Sequence, residues 1–287
     1  TGHNYEHRRR WVEDKLVILA GVFAIDLCAY AVMSNHTHVV LRVNQSKAES
    51  WTNHEVIERW HMLFSGNMLS QRFINGDELG VAEQKRLKIY VEEWRSRLLS
   101  ISWFMRVLNE AIAREANQED QCTGRFWEGR FKSQALLDEA ALAACMAYVD
   151  LNPIRAGMAK TPESSDYTSI QERIAPKLNL EKAVQEETRS GDIEQFDCTL
   201  KPLLDFDHAV TDEKQFGIPC AWQAYLDLVD WTGRAIRKDK RGSIPANLPP
   251  ILERLNIPID RWLSSTTQFE AVHHRRFNSK PKILNTG

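Results

Sequence analysis

The sequence predicts an α+β chain with an antiparallel β-hairpin and several amphipathic helices, followed by a mainly helical C-terminal extension. Three observations predict it. An apolar repeat at helical spacing gives way near residue 23 to a β-branched and aromatic run. Two long amphipathic repeats follow it, and prolines separate short helical patches beyond Lys160.

Each element has its own signal. From Glu6 to Val22, Trp11, Leu16, Leu19 and Val22 recur on one helical face. Phe23 to Met33 and Val39 to Val43 read as strands joined by turn chemistry at Ser34-Asn35, which puts His36 and His38 at the start of the second strand. Residues 44–100 form a helical insertion, irregular as far as Gly80 and punctuated by Gly66, Gly76 and Gly80. Leu87, Tyr90, Val91, Trp94 and Leu98 then mark one amphipathic helix, and Ile101, Phe104, Met105, Leu108 and Ile112 mark another. Gly124 to Arg130 reads as an aromatic and basic loop and Phe131 to Leu137 as a short strand. Asp138 is expected to cap a helix that runs through Tyr148 and stops at Pro153. The boundary between a 1–160 domain and a 161–287 extension falls where the composition turns polar and then proline-rich.

Composition excludes several classes. With 43% hydrophobic and 26% charged residues, the chain is expected to fold as a soluble protein. The longest apolar stretch, Leu16 to Met33, is broken by Asp26, so no membrane span is expected. Five cysteines with no Cys-x-x-Cys spacing argue against a disulfide framework and a cysteine zinc site, and favour the cytoplasm. Net charge is −2, so any binding of nucleic acid must be local. The basic end is residues 232–287, with 11 Lys/Arg against 4 Asp/Glu; its densest cluster is Arg234, Arg237, Lys238, Lys240 and Arg241, and His273 to Arg276 lie further on. Arg8, Arg9 and Arg10 open the first helix. Such runs are either solvated faces or sources of salt-dependent affinity for phosphates.

His36 and His38 sit at i and i+2, which on a strand gives both imidazoles one face and lets them chelate a metal. The same tripeptide also occurs in surface strands with no ligand. Tyr148 and Asn152 are one helical turn apart, so a phenol lies beside a neutral oxygen ligand; a half-buried tyrosine bonded to a carbonyl is the plainer alternative. Asn152 precedes Pro153, which biases it away from helical geometry. Arg125, Trp127, Arg130 and Lys132, with Phe126 and Phe131, interleave charge and rings in the way that grips phosphates and stacks unpaired bases. Arg155 could hold a scissile phosphate or pair with Asp150.

Three runs carry a resemblance: Tyr30-Ala-Val-Met-Ser-Asn-His36-Thr-His38-Val-Val-Leu, Gly124-Arg-Phe-Trp-Glu-Gly-Arg-Phe-Lys-Ser, and Tyr148-Val-Asp-Leu-Asn152-Pro-Ile-Arg155-Ala-Gly-Met. Together, and in this order, they resemble the signatures of single-tyrosine HUH transposases, and among these the REP-associated tyrosine transposases, relatives of the insertion-sequence-200 type. The resemblance spans roughly Trp11 to Lys160. It implies a ferredoxin-like antiparallel sheet with helices on one face, whose first strand would precede the opening helix in a piece that the given chain is expected to lack. It also implies a divalent ion, Mg²⁺ or Mn²⁺, held by His36, His38 and Asn152, which polarises a scissile phosphate while Tyr148 attacks it. The partner would be single-stranded or hairpin DNA, and the protein a monomer or homodimer. The alternative is a domesticated protein that binds DNA hairpins without cutting them. A metal-dependent hydrolase with a purely structural Tyr148 is a weaker third reading. Thr37 departs from the family pattern, standing where a bulky apolar residue is usual between the histidines, and residues after Lys160 match nothing in it.

Overall fold

The computed structural model describes residues 5–190, 203–206, 217–236 and 239–256. The first elements are α1 (His7–Val22), β1 (Ile25–Val32), β2 (Thr37–Val43), α2 (Gln45–Ser50), α3 (Asn53–His61), α4 (Met68–Ile74), α5 (Val81–Leu98) and α6 (Ile101–Glu119). After them come α7 (Glu139–Asp150), α8 (Asn152–Arg155), a 3₁₀ turn (Pro162–Ser164), α9 (Ser169–Ile174), α10 (Leu180–Ser190), α11 (Trp222–Arg234) and α12 (Ile251–Arg254). No helix among the described residues is long and apolar enough to cross a membrane. The chain divides into two compact units, Thr1–Ala135 with Asp166–Leu204 and Leu136–Ser165 with Asp205–Gly287. Each unit therefore draws on both of the stretches expected from sequence, 1–160 and 161–287.

The first unit is built on α1 and β1. Leu16, Val17, Ile18, Leu19, Val22 and Phe23 are fully buried, as are Ile25, Ala29 and Tyr30 on the strand. Each large apolar side chain so buried contributes roughly 1.5 to 3 kcal/mol. Phe23 meets Phe104 of α6 edge to face with ring centroids 5.4 Å apart. The arginines at the start of α1 are committed to the fold. Arg8 pairs with Glu119 and Asp120. Arg9 donates to the carbonyls of Val32 and Asp166, and Arg10 lies against Asp14.

The hairpin forms as expected. β1 and β2 pair antiparallel from Val32↔Thr37 to Ile25↔Val43, with a register shift between Leu27 and Ala29. Among the described residues the sheet has these two strands. The other edge of β1 is satisfied by other means. Ala31 forms a lone bridge with Thr168. The Val32 N–H donates to the Tyr167 carbonyl and the Leu204 N–H to that of Leu27. Ser169 Oγ accepts from the Tyr30 N–H. These polar contacts stand where a further ladder would run, consistent with the rule that buried backbone groups find partners.

The insertion is helical, and its starts are set by side chains. Asn44 accepts from the Lys47 N–H. Thr52 and Glu55 form a reciprocal capping box at α3, and Asn67 with Ser70 does the same at α4.

Two expectations need correction. Residues 131–137 form no strand, because they have no ladder partner and offer no buried face; all seven are exposed. Pro153 does not stop the preceding helix. α7 ends at Asp150, and the proline lies in the first turn of α8, where its missing N–H costs nothing. Asn152 accordingly opens α8 in helical geometry despite preceding a proline.

In the second unit α7 and α11 share a core that includes Met146, Val149, Leu151, Tyr225, Leu226 and Val229. Gly233 allows a close approach, since a Cβ there would fall 2.6 Å from Ile244 and 2.8 Å from Leu151. Arg254 joins Asp230 of α11 to Glu163 of the 3₁₀ turn. Arg234, one of the basic cluster, is occupied by Asp230 and by the carbonyls of Leu248 and Pro249. Arg237, Lys238 and His273 to Arg276 lie outside the described residues.

Candidate active site

The imidazole pair is assembled by the hairpin turn. His36 is exposed and immediately precedes β2, while His38, half-buried, is the second residue of that strand. Their ring centroids are 4.9 Å apart at an interplanar angle of 87°. Nδ1 of His36 lies 2.7 Å from Oδ1 of Asn35. An amide oxygen only accepts, so Nδ1 is the donor in this contact, and Nε2 is the ring nitrogen left to face a metal. Partial burial, then the neighbouring His36, hold His38 below the usual imidazole range, which favours the neutral, ligating form.

Two imidazoles brought side by side in this way are donors of the type a divalent cation takes as a chelating pair. Among the described residues no group of three or more His, Cys, Asp or Glu side chains is arranged to hold a metal. From the described residues, a third ligand would be an amide, a carbonyl or another donor type.

Tyr148 belongs to the second unit, as do Asn152 and Arg155. It is 42% exposed, although Met146, Ala147, Val149 and Asp150 around it on α7 are buried. That pattern turns the phenol away from the face of α7 that packs into the core. Asp138 caps the helix by accepting from the Ala141 N–H at 2.7 Å. One turn beyond the tyrosine, Asn152 donates its Nδ2 to the Tyr148 carbonyl at 3.1 Å. This bond fixes the amide and leaves Oδ1 as its acceptor end. Asp150 is fully buried and accepts from the Tyr225 hydroxyl at 2.5 Å. Arg155 is buried, at 8% exposure, and its carbonyl accepts from the Arg241 N–H.

The aromatic and basic loop is anchored at one ring. Trp127 packs against the core of the first unit and donates Nε1–H to the Asn109 carbonyl at 2.8 Å. Its neighbour Phe126 stands edge-on to it, with centroids 5.0 Å apart. Asn117 holds the start of the loop by donating to the Gly124 carbonyl. Arg125, Arg130 and Lys132 remain exposed with Phe126. The exposed rings are thus Phe126 and Phe131, whereas Trp127 acts as the anchor.

The structure therefore brings His36 together with His38 in one unit, and Tyr148 together with Asn152 in the other. Sequence reasoning missed Asn35 as the orienting partner of His36, although asparagine before a histidine at a turn is a local signal. It also missed Tyr225 as the partner of Asp150, which no local pattern announces. Scans of family models, curated proteins and solved structures returned no match to the chain.

Proposed function

We propose that this protein is a metal-dependent single-stranded DNA transposase or endonuclease that cuts and rejoins strands through a 5′-phosphotyrosine, acting at hairpin-containing sites. The observation that carries the reading is the edge-to-face imidazole pair of His36 and His38, with His36 held by Asn35. The exposed phenol of Tyr148 supports it, with the fixed amide of Asn152 one turn away. The reading carries with it the ferredoxin-like sheet implied by the motifs, to which the β1–β2 hairpin would contribute two strands.

In this reading His36, His38 and Asn152 hold a divalent cation, which when bound supplies positive charge to a scissile phosphate. Tyr148 Oη attacks phosphorus, forming an O–P bond as the P–O3′ bond breaks. The phenolic proton leaves with the attack, and the departing 3′ oxygen takes up a proton to become a hydroxyl. An ordinary tyrosine titrates near 10, so at neutral pH this attack needs charge stabilisation close to the phosphate. Because the phosphodiester energy is kept in the tyrosyl bond, attack by a 3′-hydroxyl reverses the step without a nucleotide triphosphate. Arg125, Arg130 and Lys132 supply phosphate contacts, and Phe126 supplies a stacking face.

The test is a denaturing gel of protein mixed with labelled hairpin oligonucleotides and Mn²⁺. A band resistant to denaturation is expected from the unaltered protein and none from Tyr148→Phe. Hairpin binding without any covalent band would instead favour the non-cleaving alternative.

A further inference from the structure

The basic side chains at and beyond the end of α11 divide by what they do. Arg234 is held by Asp230 and by carbonyls, and Arg254 further on is held by Asp230 and Glu163. These two arginines are committed to the fold. Lys240, half-buried, and Arg241, exposed, make no ion pair and no side-chain hydrogen bond among the described residues.

The backbone that carries them is nonetheless fixed, and it is fixed against the helix that follows Tyr148. The Arg241 N–H donates to the Arg155 carbonyl at 3.1 Å. Three residues on, the Ile244 N–H donates to the Gly233 carbonyl of α11 at 2.9 Å, and Ile244 is 2% exposed. Between these two bonds Gly242 packs on the end of α8. A Cβ there would fall 2.2 Å from the Ile154 carbonyl oxygen and 3.3 Å from the Gly157 Cα, so no other residue allows this approach. Gly157, with φ of +74°, makes the left-handed turn that ends α8. All of these residues belong to the second unit, as Tyr148 does. Leu151 alone separates α7 from α8, so at about 1.5 Å per residue Arg155 follows Tyr148 by about 10 Å.

Two like charges held side by side repel each other, and a bound polyanion relieves that repulsion. A cation near a helix C-terminus also favours the helix dipole, but α8 is a single turn that one charge would serve. We infer that Lys240 and Arg241 bind phosphates of the strand that Tyr148 attacks, in the nucleotides flanking the scissile one. The C-terminal extension then supplies part of the grip on the DNA. That the anion is a DNA strand rests on the transposase reading above; the placement of the two cations does not.

Fluorescence anisotropy of the full chain with a labelled hairpin oligonucleotide, run as a salt series without metal, tests the inference. On a single strand each phosphate contact adds about 0.7 to the slope of log affinity against log salt, so two contacts add about 1.4. Lys240→Gln with Arg241→Gln should therefore flatten the slope. Between about 50 and 200 mM salt the unaltered protein should lose about sevenfold more affinity than this variant. Arg241→Lys should keep the original slope, and Lys240→Gln alone, which repeats the test if the double variant loses its native circular dichroism, should show about half the effect. Lys85→Gln with Lys88→Gln removes two exposed cations of α5 that also make no ion pair among the described residues, and should leave the slope unchanged. A folded double variant with the original slope would overturn the inference, whether or not its urea midpoint has moved. An equal flattening by the α5 pair would overturn it too, because the effect would then be one of bulk charge. The gel test separates the two readings. A flattened slope with no covalent band leaves the phosphate contacts standing and removes the transposase, and a covalent band with an unchanged slope does the reverse.

Discussion

Glu13→Gln should change how stability depends on pH, and the structure fixes both sign and size. Glu13 is 3% exposed on α1, and its Oε1 accepts from the Tyr30 hydroxyl at 2.8 Å. Burial is the largest influence and pushes its carboxyl up from 4.5 to about 7; the Tyr30 bond and Arg10 oppose the rise, while Asp14 and Glu172 add to it. Because the folded value is the raised one, the neutral acid is the form the fold prefers. Its contribution is complete below about 4.5 and is lost as pH rises to about 7. At about 1.4 kcal/mol per pH unit, the whole loss is roughly 3 kcal/mol. Glutamine keeps an oxygen for Tyr30 and cannot ionise. Between about pH 5 and pH 8 the variant should therefore gain roughly 2.5 kcal/mol relative to the parent. Urea unfolding at a series of pH values, followed by tryptophan fluorescence, measures this. The slope of the difference is the readout, because the added amide shifts both ends alike. A difference that stays flat over that range, or that falls as pH rises, would refute the reasoning.

Three further outcomes are expected. His36→Ala with His38→Ala should abolish the covalent band while changing hairpin affinity less than about threefold, as read by gel and by anisotropy, since phosphate contacts rather than imidazoles supply most of the binding. Tyr225→Phe should destabilise the protein by about 1.5 to 3 kcal/mol in urea, because it takes a donor from the fully buried Asp150 carboxyl. Asp138→Ala should cost about 1 kcal/mol through loss of the bond to the Ala141 N–H, and Asp138→Asn should restore most of it.

The legible parts of the fold were those whose signal is local. The turn at Ser34-Asn35 and the change of period at residue 23 located the hairpin, and Asp138 announced its own helix. Residues 131–137 misled because the apolar residues Phe131, Leu136 and Leu137 say nothing about whether a second strand is available to pair. The helix α1 was read as one apolar stripe, yet Glu13, Asp14 and Lys15 are buried as well. That happens because α6, β1 and α10 pack around it, which no window of its own residues can reveal. The candidate site divides the same way. His36 with His38, and Tyr148 with Asn152, are pairs two and four residues apart, so local backbone brings each together, although His36 stands just before β2 and Asn152 opens α8 beyond the end of α7. By contrast, the packed rings of Trp60, Trp94 and Trp103 come from α3, α5 and α6, and only the packing of three helices brings them together.

The central claim is that the Tyr148 hydroxyl becomes the covalent link to DNA. The most direct measurement is peptide mass mapping of the protein after reaction with a hairpin oligonucleotide and Mn²⁺, followed by nuclease trimming. The account predicts a phosphonucleotide on the peptide containing Tyr148 and on no other tyrosine. The same mass on a peptide containing Tyr30, Tyr90 or Tyr167, or cleaved DNA with every tyrosine unmodified, would contradict it.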